Sequence, residues 1–177
     1  GNAYFDLGKF ALAERDFEMS SALGDGGMGM FNVGALRLQA GKPQEALAAF
    51  DKAAKDGYNL FNLPFQRGMA LSALGKAAEA HVQFASAMAM NPTSPIREVL
   101  LVQLGRTALQ LGRPDEALGH LDSALAKDPA NKEARYLLAM ALLNKNEHAR
   151  ASAILDKLLA EGPNASAYYA RALANHG

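Results

Sequence analysis

The sequence predicts an all-α fold, a solenoid of antiparallel helix pairs with about five repeats and a terminal helix. Three observations predict it. Gly8, Gly41, Gly75 and Gly112 each stand five residues before Ala13, Ala46, Ala80 and Ala117, and Phe17, Phe50, Phe84 and Leu121 follow four residues later. Asn146, Ala151 and Leu155 repeat the pattern a fifth time, and the alanines are spaced by 33, 34, 37 and 34 residues, a range typical of helical repeat arrays. Apolar residues between these landmarks recur at three- and four-residue spacing, and the breaks between them carry helix stop and start signals.

Taken in order, helices are expected over 27–40, 43–56, 61–74, 77–90, 95–111, 114–127, 131–144 and 147–161, alternating as helix A and helix B. The repeats run over 1–26 (truncated), 27–60, 61–94, 98–131 and 132–165, with 166–177 as a terminal helix, in one array over 1–177. Within a pair the turn is led by glycine, as in Gly41-Lys42, Gly75-Lys76 and Gly112-Arg113, where glycine takes the left-handed conformation that ends a helix. Pro43 and Pro114 then fit the first turn of helix B, where a missing amide hydrogen costs nothing. Between pairs, Gly24, Gly57, Asn91-Pro92, Asp128-Pro129 and Gly162-Pro163 close helix B. The 37-residue interval contains Ser94-Pro95, expected to act as N-cap and first-turn proline.

Gly34, Gly68, Gly105 and Ala139 fall in mid helix A, where glycine costs about 0.5–1 kcal/mol against alanine. Close approach of helix B offsets that cost. The small residues Ala13, Ala46, Ala80, Ala117 and Ala151 are expected to form the facing surface.

Composition narrows the function. Eighteen basic and eighteen acidic residues cancel, so no field draws in nucleic acid or an anionic membrane surface. Cysteine is absent, which removes disulfides and thiolate sites and fits either a cytoplasm or a bacterial periplasm. No run approaches the ~18 apolar residues of a spanning helix, so direct membrane insertion is not expected of this stretch. Beginning at Gly1 rather than Met, it reads as an excised fragment.

These landmarks resemble the tetratricopeptide repeat family over essentially all of residues 1–165, with 166–175 similar to the first helix of another unit. Phrases such as Gly41-Lys42-Pro43-Gln44-Glu45-Ala46-Leu47 and Gly112-Arg113-Pro114-Asp115-Glu116-Ala117-Leu118 lie close to the family pattern. Met30, Pro64 and Leu101 depart from it, standing where an aromatic residue is common. The endings Ser20-Ser21-Ala22-Leu23-Gly24 and Ala53-Ala54-Lys55-Asp56-Gly57 lean toward the related Sel1-like repeats, while the spacing without insertions favours the tetratricopeptide reading. The resemblance implies a right-handed superhelical solenoid in which helix A lines a concave face.

On that implication the partner-binding groove comprises Met28, Phe31, Asn32 and Gln39 in the second copy and Asn62, Phe65, Gln66 and Met69 in the third. Val102, Gln103, Arg106 and Gln110 follow in the fourth, beside Val99, and Tyr136, Met140 and Asn144 in the fifth, beside Glu133. Asn32, Gln66 and Gln103 stand at equivalent places, and carboxamides both donate to and accept from an extended peptide. Alternatively they face solvent or cap turns. Phe31, Phe65, Val102 and Tyr136 form an apolar stripe suited to anchoring a helix, or else to interior packing. The carboxylate clamp of chaperone-binding family members is not matched, although Arg106 leaves one cation in the groove.

Other motifs offer no chemistry. Gly24-Asp25-Gly26-Gly27-Met28-Gly29 matches G-x-G-x-x-G, but a helix precedes it where a nucleotide cradle needs a strand, so a flexible joint is expected. Asp115-Glu116 suits the positive end of a helix. His148 and Ser152 are one turn apart without an orienting acid, and His81, His120 and His176 are scattered, each expected at a surface or joint. No catalytic residue, cofactor or metal is therefore expected. The expectation is a non-catalytic scaffold binding a protein or peptide, for example a bacterial envelope or secretion assembly factor. Its alternatives are the regulatory or substrate-recruiting region of a larger, glycosyltransferase-like enzyme, and a homo-oligomer formed through exposed repeat ends.

Overall fold

The computed structural model describes residues 9–176, and among them the chain is entirely α-helical apart from turns. The landmark Gly8 lies outside the described residues. Ten helices follow in order: α1 Phe10–Ala22, α2 Met28–Gln39, α3 Pro43–Lys55, α4 Asn62–Ala73, α5 Ala77–Ala89, α6 Ile96–Gln110, α7 Pro114–Leu125, α8 Lys132–Asn144, α9 His148–Ala160 and α10 Ala165–His176. They fall into two compact units that meet in sequence at Asn91 and Pro92. In the first unit α2 pairs with α3 and α4 with α5, with α1 against α2; in the second α6 pairs with α7 and α8 with α9, and α10 packs on α9.

One local device closes every A helix of a pair. At the end of α2, Gly41 has φ +72°, its N–H donates to Leu38 O, and the Lys42 N–H reaches back to Arg37 O at 2.9 Å, the Schellman arrangement. The same long-reach bond joins Lys76 to Leu71 and Arg113 to Ala108. In the fifth copy Asn146 takes over the left-handed position with φ 60° and Glu147 bonds to Leu142. Pro43 and Pro114 open α3 and α7 as expected. At the irregular joint the expected N-cap is not formed: the Ser94 hydroxyl donates to Glu98 Oε1 at 2.7 Å and accepts no backbone amide, and α6 starts at Ile96.

Packing corrects the expected partner of the mid-helix glycines. A Cβ on Gly68 would come within 2.5 Å of Phe84 Cε1 and one on Gly105 within 2.6 Å of Leu121 Cγ, and Gly34 abuts Phe50 in the same way. The glycines therefore make room for the large residue of helix B, not for a facing alanine. Ala46, Ala80, Ala117 and Ala151 are fully buried, as are Phe50, Phe84, Leu121 and Leu155. Removing such a large residue from a core costs about 3–5 kcal/mol for Phe→Ala.

Successive pairs are stitched by ion pairs from helix A back to the preceding helix B. Arg37 meets Glu14 at 2.7 Å, Arg67 meets Asp51 at 2.7 Å and Arg171 meets Asp156 at 3.2 Å. Half-exposed pairs of this kind contribute ~0–1 kcal/mol each, so they set register more than stability.

Candidate functional site

In the amino-terminal unit the A helices α2 and α4 touch, which brings the expected groove residues of the second and third copies onto adjoining helices. Met28 and Gln39 are exposed, and Asn32, Phe65, Gln66 and Met69 are half-buried. Phe31 is not available: it is buried, stacked on Tyr58 at 4.6 Å between ring centroids and tilted against Phe50 at 5.8 Å. The interior reading of the apolar stripe thus holds for Phe31. The Asn62 amide donates to the Tyr58 hydroxyl at 2.9 Å, so part of its hydrogen-bonding capacity serves the joint. Phe65 leans on Phe84 at 6.2 Å and keeps one side accessible.

The glycine run before α2 is a built joint. Asp25 accepts hydrogen bonds from the Gly27 N–H at 3.0 Å and the Gly29 N–H at 2.7 Å, capping the start of α2. Gly27 lies against Ala53 O and Gly29 against Phe17 O, so neither has room for a side chain. Flexibility, the expected reason for these glycines, is replaced by close packing of α2 on its neighbours.

In the carboxy-terminal unit a cleft of about 470 Å³ opens between α6, α8 and α10. Leu158 and Ala167 form a buried apolar floor, and Arg106, Lys132, Glu133, Tyr136, Asn164 and Ser166 stand around it. The Arg106 guanidinium on α6 pairs with the Glu133 carboxylate on α8, both half-exposed. Gln103 is half-buried, Gln110 and Asn144 are exposed, Met140 is half-buried, and Val99 is exposed. Val102, expected in the apolar stripe, is buried in the core beside Leu121 and Leu137. Of the groove residues named from the sequence, Arg106 and Tyr136 line this cleft.

Sequence reasoning missed the far wall. Asn131 caps α8 by accepting the Ala134 N–H at 2.9 Å, and Asn164 caps α10 by accepting the Ala167 N–H at 3.0 Å. This matched pair of caps sets α10 in register with α8, the signal that would have carried the groove on to Asn164 and Ser166. On the same helix, α8, Arg135 donates to both oxygens of Glu161, at 2.5 and 2.9 Å, and to Ala130 O at 3.1 Å. The hydrogen bond with Glu161 raises the Arg135 pKa, and that from Arg135 holds the Glu161 carboxyl below its ordinary range. Lys132 approaches the same carboxylate at 3.6 Å.

The Ser152 hydroxyl donates to Asn175 Oδ1 at 3.1 Å. His81, expected at a surface or joint, is instead buried in α5. Among the described residues no group of three His, Cys, Asp or Glu could hold a metal ion, and no helix is long and apolar enough to cross a membrane.

The paired helices and their repeated caps define a helical-repeat protein. Two models of the tetratricopeptide repeat match the sequence, one over residues 108–175 and one over residues 1–60, the latter including the stretch with Sel1-like endings. The chain belongs to the tetratricopeptide repeat family. No curated protein matches it in sequence. Among solved structures it is similar to YrrB, a TPR protein with an unusual peptide-binding site, at 21% identity and a TM-score of 0.82, over 99% of this chain and 86% of that one. It is also similar to MamA, at 18% identity and a TM-score of 0.78, over 90% and 86% of the two chains. A third likeness is to pilF of Pseudomonas aeruginosa, at 18% identity and a TM-score of 0.76, over 99% and 84%. At these identities the likeness is one of fold.

Proposed function

We propose that this chain is a non-catalytic scaffold that holds a peptide or helical segment of a partner protein on the face made by its A helices. The observation that carries the reading is the cleft between α6, α8 and α10. It combines a buried apolar floor with donors and acceptors at its rim, the mixture that accepts a side chain while hydrogen-bonding the backbone around it. In the amino-terminal unit, Asn32, Gln66 and Met69 offer the same chemistry at partial exposure. A role in assembling a bacterial envelope or secretion system belongs to the same proposal and requires that the captured segment come from such a component.

The test is selection of peptides from a displayed random library against the chain, followed by binding to Arg106→Ala and Tyr136→Ala variants. Selected peptides are expected to lose at least about tenfold in affinity while the far-ultraviolet helical signal is retained. A parallel Phe65→Ala, Gln66→Ala variant tests the amino-terminal unit. Peptides that bind all these variants as well as the unaltered chain would move the site off the A-helix face.

A further inference from the structure

The rim of the cleft between α6, α8 and α10 is not balanced in charge. It carries two cations, Arg106 and Lys132, against one carboxylate, Glu133. The Arg106 guanidinium spends a single terminal nitrogen, Nη2, on Glu133 Oε1, and among the described residues it bonds to nothing else. Arg135, by contrast, grips both oxygens of Glu161. Arg106 therefore keeps open part of the donor fork with which a guanidinium holds a carboxylate in two parallel bonds. Glu133 and Glu161 each have an arginine partner, which leaves the charge of Lys132 in excess; its side chain is 64% exposed, with the ammonium 3.6 Å from Glu161.

Building on the peptide-binding reading, on which this assignment rests, we infer that the residue the cleft accepts from a partner segment is a glutamate. Its methylenes lie on Leu158 and Ala167, and its carboxylate is held by Arg106 and Lys132. Charge complementarity commits the site to an acid. A lysine guest would have to strip Glu133 from Arg106 and would then stand against two cations. The apolar floor commits the site to a side chain with a stem, because Leu158 and Ala167 are 7% and 1% exposed and offer only hydrocarbon to a guest. Aspartate gives up a methylene of that contact, worth about fourfold in affinity, and a chain-terminal carboxylate has no such stem.

The probes are peptides selected from the displayed library and shown to depend on the cleft by their loss of affinity for Tyr136→Ala. These peptides are expected to share one glutamate. Its replacement by glutamine, which keeps the shape and removes the charge, should weaken binding about tenfold, and replacement by aspartate about fourfold. In an Arg106→Gln chain that keeps its helical signal, the preference for glutamate over glutamine should shrink to about threefold or less, the coupling that a double-mutant cycle reads. An undiminished preference there would place the carboxylate elsewhere and overturn the inference. Cleft-dependent peptides that share no acid, or that tolerate glutamine, would overturn it while leaving the proposed function in place. Loss of binding on amidation of the peptide's carboxy terminus would move the carboxylate to the chain end, and would equally overturn it. Peptides indifferent to Tyr136→Ala would remove both the anchor and the cleft as the binding site.

Discussion

Gly68 lies flat against the ring of Phe84, so close that a Cβ on Gly68 would stand 2.5 Å from Cε1. Alanine there gains about 0.5–1 kcal/mol of helix propensity but must displace a ring that is itself fully buried. Gly68→Ala is therefore expected to lose about 1–2 kcal/mol net in urea unfolding. Adding Phe84→Leu should recover part of the loss, since alanine and leucine share this register at Ala139 and Leu155. Strictly additive effects of the two changes would break the proposed contact.

Ala80 is fully buried in α5, one turn before Phe84. Ala80→Leu should overpack the crossing and lower stability by about 1–3 kcal/mol. An unchanged denaturation midpoint would show that helix B does not need a small residue at this landmark.

Asp25 satisfies two backbone amides at the entrance to α2. Asp25→Ala should cost about 0.5–2 kcal/mol, with Asp25→Asn recovering part of it through the remaining side-chain oxygen. Hydrogen exchange of the Gly27 and Gly29 amides checks the assignment, because only loss of the carboxylate should speed both.

Arg135 and Glu161 make stability depend on acid. The hydrogen bond from Arg135 depresses the Glu161 carboxyl below its ordinary value of 4.5, so its contribution is complete above that value and is lost as pH falls through the depressed one. Glu161→Gln should flatten the acid limb of the stability profile and leave the profile above pH ~6 parallel to that of the unaltered chain. An unaltered acid limb would show that the pair does not tie the 130–135 turn to the end of α9.

Of the cleft, Arg106 and Tyr136 were legible by position, whereas Leu158, Asn164, Ser166 and Ala167 were not. Helical spacing placed Phe31 and Met28 on the same helix and the family resemblance named both for the groove, yet Phe31 is spent on Tyr58 and Phe50 while Met28 stays in solvent. Val102 was lost to the core for the same reason. A period of 3.6 residues says which side chains share a stripe; whether that stripe meets a neighbour depends on the angle and depth of packing, which involve residues about 16 to 30 positions away.

The sequence alone determined the helix pairs, their spacing and their ends, because these rest on local chemistry: glycine or asparagine at a left-handed cap, proline in a first turn, and a 3.6-residue apolar period. Tertiary structure decided what each repeated small residue faces, and it joined Arg106, Glu133 and Asn164 around one cleft. Those outcomes depend on contacts between segments far apart in the chain, and a short-range pattern carries no record of them.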